Sequence, residues 1–177
     1  MIAPGRAGLI VFRGPPGTGK TTISSRVAAG LGATWLRIDA IEQAIKSAAD
    51  VADSPVGYAA AGAVANGNLL LGRTVVVDGV HPVAESRDAW RRMAADVGAP
   101  ILQVEITCAD PVEHRRRVET RVADLPGHDL PSWMSVTARR YERAKADLVL
   151  DTSRVSVDAA VGHVIDEWER LMQGKQR

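Results

Sequence analysis

A glycine-rich run near the start of the chain has the residue types that bind phosphate groups. Its members are Gly14, Pro15, Pro16, Gly17, Thr18, Gly19, Lys20, Thr21 and Thr22. From Gly14 to Thr21 the run matches the pattern G-x-x-x-x-G-K-[ST] at every position. In such a loop the backbone N–H groups converge on phosphate oxygens, which excludes bulky side chains and needs unusual φ angles. Lys20 supplies a mobile positive charge for the β- and γ-phosphates, and the Thr21 hydroxyl is a natural ligand for Mg²⁺. The run therefore predicts a site for ATP and Mg²⁺.

Two carboxylates stand where predicted strands end. Asp39 closes the second predicted strand, and Asp78 closes the third, a run of valines. Ligands of an open parallel sheet bind at the carboxyl ends of its strands, so both side chains are expected at that edge. Phosphoryl transfer to a hydroxyl needs one carboxylate to orient or deprotonate the hydroxyl and another to hold the magnesium shell. We expect Asp39 to take the first role and Asp78, with Thr21, the second.

The sequence around Asp39 also supports a different interpretation. Asp39-Ala40-Ile41-Glu42 is a capping-box pattern, in which the aspartate accepts hydrogen bonds from the first turn of a helix. Asp39 as a helix N-cap, alone or together with the catalytic role, therefore stays an alternative.

Apolar strand-like runs alternate with helix-like stretches along the chain. The predicted strands cover residues 9–12, 34–38, 74–77, 101–106 and 147–150. The predicted helices cover residues 21–31, 40–49, 83–97, 111–122 and 157–171. This alternation predicts a parallel sheet with helices on both faces, and the helix after the phosphate loop adds its positive N-terminal end to the site. Residues 51–68 and 124–132 fit the alternation poorly and are typical of parts that cover a substrate.

Composition restricts the class of protein further. The 177 residues are 46% hydrophobic and carry 22 basic against 21 acidic side chains, a net charge of +1. These values exclude disorder and argue against a nucleic-acid binder that depends on bulk charge. The single cysteine, Cys108, cannot form an internal disulfide, and no stretch has the length of a membrane span or a signal peptide. We expect one cytoplasmic domain, a monomer or homodimer, with no membrane partner.

Other classes of phosphate-loop protein fit less well than a small-molecule kinase. A GTPase needs N/T-K-x-D after a strand, and the nearest match, residues 144–147, lacks the first residue. A ring-forming ATPase needs a second helical subdomain, and only residues 151–177 follow the last predicted strand. A polynucleotide 5′-hydroxyl kinase and a nucleotide-dependent binding protein without transfer stay open as alternatives.

The phosphate loop, Asp39 and Asp78 together resemble the small P-loop kinases. These include gluconate kinases, adenylylsulfate kinases, chloramphenicol phosphotransferase and the kinase domain of polynucleotide kinases. Residues 66–82 and 113–121 look most similar to bacterial members known only as ATP-binding kinases. The resemblance covers nearly the whole chain as a single domain. It implies a three-layer α/β/α P-loop NTPase fold, a five-stranded parallel sheet of order 2-3-1-4-5, ATP and Mg²⁺ as cofactors, and a small-molecule hydroxyl acceptor.

The same resemblance implies roles for individual residues. Asp39 matches the carboxylate that approaches the acceptor hydroxyl, and Arg87 matches an arginine that often holds the acceptor. Arg117 and Arg121 match the R-x-x-x-R of a lid, here expected over residues 115–132. A lid arginine would neutralise the transferring phosphoryl group, although a solvated basic helix face stays an alternative for this cluster. The chain lacks an adenylylsulfate-binding motif and the gluconate kinase pattern around Asp39, which argues against those two activities.

Four further polar residues are candidates for binding. Tyr58 and Asn66 lie in the acceptor-side segment, about residues 40–70, where polar groups can line a pocket. His81 follows Asp78 closely and is a candidate for the same pocket, although a lone histidine before a proline is more often structural. Arg154 follows the fifth predicted strand, where kinases of this kind hold adenine, and it could stack on the base.

Overall fold

A computed structural model describes residues 7–49, 56–127, 129–142 and 144–174. Its strands are β1 (Leu9–Arg13), β2 (Thr34–Arg37), β3 (Val75–Asp78), β4 (Ile101–Thr107) and β5 (Leu148–Asp151). Its helices are α1 (Lys20–Leu31), α2 (Ile38–Ala48), α3 (Val56–Leu70), α4 (Ala84–Asp96), α5 (Pro111–Thr120), α6 (Trp133–Ala138) and α7 (Val157–Gly174). All five predicted strands and all five predicted helices are present, with ends shifted by up to three residues.

The five strands form one parallel sheet of order β2-β3-β1-β4-β5. This confirms the predicted fold and strand order. β1 lies between β3 and β4. The phosphate loop, which follows β1, is therefore at the centre of the edge formed by the carboxyl ends of the strands. Arg37, the last residue of β2, stands beside Asp78, the last residue of β3. The strand order thus places charged residues from neighbouring strands next to the phosphate loop.

Both faces of the sheet are buried, which explains the continuous apolar run of β1. Ile10 and Phe12 belong to the cluster covered by α1 and α7, while Leu9 and Val11 belong to the cluster covered by α3 and α4. Trp168 of α7 is 5% exposed and fills the first cluster. No helix in the ranges described here is both long and apolar enough to cross a membrane.

Two helices, α3 and α6, were not expected from the sequence. Residues 51–68 fit the predicted strand-helix alternation poorly, and the structure places α3 there from Val56; the start of the segment lies outside the described residues. α3 has no charged residue and includes Gly57, Gly62 and Gly67. Glycine is a weak helix former, and the scattered alanines hide any apolar stripe, so α3 is stabilised by packing of Ala61 and Ala65 on the sheet.

Candidate active site

The phosphate loop has the backbone conformation that its glycines predict. Gly14, Gly17 and Gly19 have φ angles of 138°, 80° and 90°. A Cβ at Gly14 would lie 2.1 Å from the backbone oxygen of Ile106, so the loop passes β4 too closely for any side chain there. The Lys20 ammonium group donates to the Pro15 carbonyl at 2.9 Å, which folds its side chain over the loop.

Charged groups from four parts of the chain converge on Lys20. Its side chain is 8% exposed, and burial lowers the pKa of its ammonium group. Asp78 and Asp39 act against this shift, whereas Arg121 and Arg37 add to it. Two carboxylates and two guanidinium groups thus act on the charge of the residue expected to bind the β- and γ-phosphates.

Asp78 and Thr21 form a donor set that fits Mg²⁺. Asp78 is 3% exposed, and its Oδ2 has no hydrogen-bond partner in the part of the chain that the structure describes. Burial raises the pKa of this carboxyl, while the charge of Lys20 and a hydrogen bond with the Thr21 side chain oppose the rise. A buried carboxylate oxygen without a partner beside a hydroxyl is the kind of oxygen pair that Mg²⁺ accepts together with phosphate and water.

Asp39 does not cap a helix. α2 begins at Ile38, its N-cap is Arg37, and no side chain bonds to the free N–H groups there. Asp39 lies in the first turn, so the capping-box interpretation is wrong. The reason is that β2 passes into α2 without a turn, which moves the helix start ahead of the aspartate. The Asp39 carboxylate lines the cavity and has no ion pair with a residue that the structure describes.

A cavity of about 1170 Å³ extends from the phosphate loop to α2 and the start of α3. Its walls come from the phosphate loop, α2, the start of α3, α5, α6 and the α5–α6 connection, residues 121–132. The predicted residues that line it are Pro16, Gly17, Gly19, Lys20, Thr21, Thr22, Asp39, Arg117 and Arg121. A cavity of this size accommodates a nucleotide together with a second small molecule.

Arg117 links α5 to the phosphate loop. Its guanidinium group donates to Thr152 Oγ1 at 2.8 Å, to the Thr152 carbonyl at 3.0 Å and to Glu113 at 2.7 Å. The Thr152 hydroxyl in turn donates to the Thr18 carbonyl at 2.9 Å. Arg116 and Arg117 together lower the pKa of Glu113 to about 2. Arg117 is thus held beside the phosphate loop, at the carboxyl end of β5.

Three residues expected to bind the acceptor are instead packed behind the cavity. His81 is fully buried, with Tyr58 and Trp90 edge-on to its ring at 5.3 and 6.0 Å between centroids. The backbone N–H of His81 donates to the Tyr58 hydroxyl. Arg87, which is 1% exposed, donates to the backbone carbonyls of His81 and Glu142. The turn after β3 directs His81 into the core, and His81, Tyr58 and Arg87 are not among the residues that line the cavity, so acceptor binding by them stays a prediction.

Asn66 and Arg154 are also outside the cavity. Asn66 lies on the far half of α3, and the Arg154 side chain is 83% exposed beside Asp151, 3.3 Å away. Neither belongs to the cavity wall, so the proposed stacking of Arg154 on adenine stays a prediction.

The buried state of His81 predicts how stability depends on pH. Burial lowers its pKa to about 3, so the ring takes up a proton near pH 6.5 only in the unfolded chain. Stability is therefore lost as the pH falls below the unfolded value. Between pH 7.5 and pH 5, we expect the wild-type protein to lose about 2 kcal/mol more of its unfolding free energy than His81→Asn. Asparagine tolerates the positive φ of 46° at this position. Urea unfolding at both pH values measures this, and equal losses would contradict the assignment.

Several cavity residues were not foreseen from the sequence. They are Glu42, Lys46, Arg116, Asp124, Asp129, Ser132, Ser135 and Arg139. Glu42 could have been found, because it follows Asp39 at i+3 and thus shares its helix face. Its side chain crosses α3 at Gly57, where a Cβ would lie 2.2 Å from Glu42 Cγ. Lys46, at i+7, shares that face as well. Asp124, Asp129 and Ser132 lie in the segment 124–132 that was expected to cover a substrate, whereas no local pattern brings Ser135 and Arg139 to the cavity.

Comparison with known proteins agrees with this geometry. The model of the AAA domain family matches residues 9–130, from β1 through the α5–α6 connection. No curated protein matches the chain in sequence.

Solved structures share the fold over nearly the whole chain. APS kinase CysC from Mycobacterium tuberculosis, in complex with AMPPNP and APS, is 24% identical with a TM-score of 0.65, covering 93% of this chain and 98% of that chain. A gluconokinase from Sinorhizobium meliloti is 19% identical with a TM-score of 0.66, covering 97% of both chains. Kti12 from Chaetomium thermophilum, in complex with ADP-AlF3, is 19% identical with a TM-score of 0.69, covering 93% of this chain and 98% of that chain.

Proposed function

Because this chain belongs to the AAA domain family and has the fold of the small P-loop kinases, we propose that it transfers the γ-phosphate of ATP to a hydroxyl group of a small molecule. The observation that carries this proposal is the Asp39 carboxylate, which lines the same cavity as Lys20 and forms no ion pair within the described residues. A kinase needs a group there that can accept the hydroxyl proton, whereas a protein that only binds nucleotide does not.

The residues that line the cavity, together with the buried Asp78, have different roles in the proposed transfer. The phosphate loop and Lys20 bind the β- and γ-phosphates, and Asp39 orients the acceptor hydroxyl and takes its proton. Arg121 neutralises charge on the transferring phosphoryl group. Thr21 and Asp78 would hold Mg²⁺, which when bound draws charge from the β- and γ-phosphate oxygens. Catalysis rests mainly on positioning and charge neutralisation.

Features of the chain and its relatives support this function over the alternatives. AMPPNP and APS are bound in the APS kinase neighbour, an ATP analogue together with a small molecule. The net charge of +1 favours a small-molecule acceptor over a polynucleotide. The likeness to Kti12, which is not a kinase by name, favours nucleotide-dependent binding without transfer as the second candidate. The single cysteine favours a cytoplasmic location.

A transfer screen tests the proposal directly. Purified protein with Mg-ATP is incubated with pools of sugars, metabolite alcohols, hydroxylated antibiotics and 5′-hydroxyl oligonucleotides, and products are detected by mass spectrometry. We expect one small-molecule class to gain the mass of a phosphoryl group, and Lys20→Ala to form no such product. A product only in the oligonucleotide pool would favour the polynucleotide kinase, and nucleotide binding without any product would favour the binding protein.

A further inference from the structure

An ion pair between Arg37 and Asp124 joins β2 to the α5–α6 connection at the edge of the cavity. Arg37 donates from Nη1 to Asp124 Oδ2 at 2.5 Å and from Nη2 to Asp124 Oδ1 at 2.9 Å. Arg37 is 7% exposed, whereas the Asp124 side chain is 51% exposed and lines the cavity. Two parallel bonds between a guanidinium group and a carboxylate fix orientation as well as distance.

Arg37 forms its two hydrogen bonds with a distant aspartate, although two other aspartates lie near it. Asp78 stands beside Arg37 in the sheet, and Asp39 follows it by two residues along the chain. Both interact with its charge, yet the bidentate bond goes to Asp124, 87 residues away. Because Arg37 is buried, removing Asp124 would leave its positive charge uncompensated. The two hydrogen bonds therefore hold the α5–α6 connection against the edge of the sheet.

Asp124 also approaches the arginine expected to meet the transferring phosphoryl group. Arg121, three residues earlier, lies 3.7 Å from Asp124 Oδ1 and lines the cavity with its side chain 26% exposed. α5 ends at Thr120, so Arg121 has no helix to hold it and its position depends on the α5–α6 connection. The contacts of Asp124 with Arg37 and with Arg121 thus connect β2 to the cavity edge.

We propose that Arg37 and Asp124 are positioning residues, which fix the α5–α6 connection to β2 and thereby hold Arg121 at the phosphate site. This inference rests on the proposed function for the role of Arg121, but the ion pair itself (the clamp) is a feature of the chain that can be tested with nucleotide alone. It needs no knowledge of the acceptor. The connection should stay ordered around bound nucleotide only while the pair is intact.

Hydrogen exchange in the complex with Mg-AMPPNP tests the clamp. In Asp124→Asn, we expect amides of residues 122–127 to exchange about tenfold faster than in the wild-type complex, while the Kd for Mg-AMPPNP stays within about threefold, because the phosphate loop provides the binding. Asp158→Asn is the matched control, since it removes an exposed ion pair with Arg26 of 2.6 Å on the surface of α7. It should change neither quantity.

The double variant Arg37→Gln/Asp124→Asn completes the test. If the two side chains act as one unit, the exchange rates of the single variant Arg37→Gln and of the double variant equal those of Asp124→Asn. With an acceptor from the transfer screen, Arg37→Gln, Asp124→Asn and the double variant each lose kcat by about tenfold. Wild-type protection in Asp124→Asn, or effects that multiply in the double variant, would overturn the clamp alone. Failure to bind Mg-AMPPNP, or binding with no product in the screen, would instead count against the proposed kinase function.

Discussion

Replacing Lys20 with alanine is expected to lower phosphoryl transfer by at least about 10²-fold, the usual cost of removing one preorganised group that stabilises transition-state charge. The physical reason is that Lys20 is the charged group of the phosphate loop and lies in the same cavity as Asp39. Its ammonium group is held by the Pro15 carbonyl and can turn to the phosphates without a change of backbone. Turnover of ATP by the purified variant at saturating Mg²⁺ measures the loss.

The Lys20→Ala variant should remain folded. Lys20 is 8% exposed rather than solvent-facing, and burial lowers the pKa of its ammonium group, so dehydrating this charge opposes folding. Removing the charge is therefore expected to leave Tm unchanged or slightly higher. Lys145→Ala, at an exposed loop position outside the cavity, is the matched control and should keep full turnover. Wild-type turnover in Lys20→Ala would refute the phosphate-loop assignment.

The sheet could be predicted from the sequence because its strands are apolar on both faces. Residues of β1 and β3 are 0–3% exposed, and this demand for apolar side chains is visible without any tertiary information. The strand order followed from the family resemblance. By contrast, α3 has too many glycines and exposed alanines for its helix to be predicted from a periodic pattern.

The phosphate site could be predicted more fully than the acceptor side. Lys20, Thr21 and Asp78 belong to local motifs whose chemistry fixes their residue types, so their neighbourhood in the fold follows from the motif. The burial of His81 depends instead on Trp90 and Tyr58, which approach it from two helices. Likewise, the Arg37–Asp124 pair joins residues that are far apart in the chain, and no spacing rule connects them.

Replacing Asp39 with asparagine is expected to lower transfer to the acceptor by about 10²–10⁴-fold, the usual contribution of a positioned general base. The amide keeps the size of the side chain and cannot take the hydroxyl proton. Since Asp39 is not the N-cap of α2, the variant loses only a favourable charge in the first helical turn, a cost of about 0.3–1 kcal/mol. Folding and the Kd for Mg-ATP should therefore stay close to those of the wild-type protein.

Asp78→Asn should behave differently, because the two carboxylates are expected to serve different partners. Asp78 is buried next to Thr21 with no hydrogen bond to Oδ2 within the described residues, whereas Asp39 lines the cavity and is expected to meet the acceptor. If Asp78 holds the magnesium shell, the amide weakens Mg²⁺ binding, and a higher Mg²⁺ concentration restores part of the activity by mass action. No such recovery is expected for Asp39→Asn, since its loss concerns a proton and not a metal ligand. Transfer rates of both variants across a magnesium titration decide the matter: equal recovery of the two, or full activity of Asp39→Asn, would show that these roles are assigned wrongly.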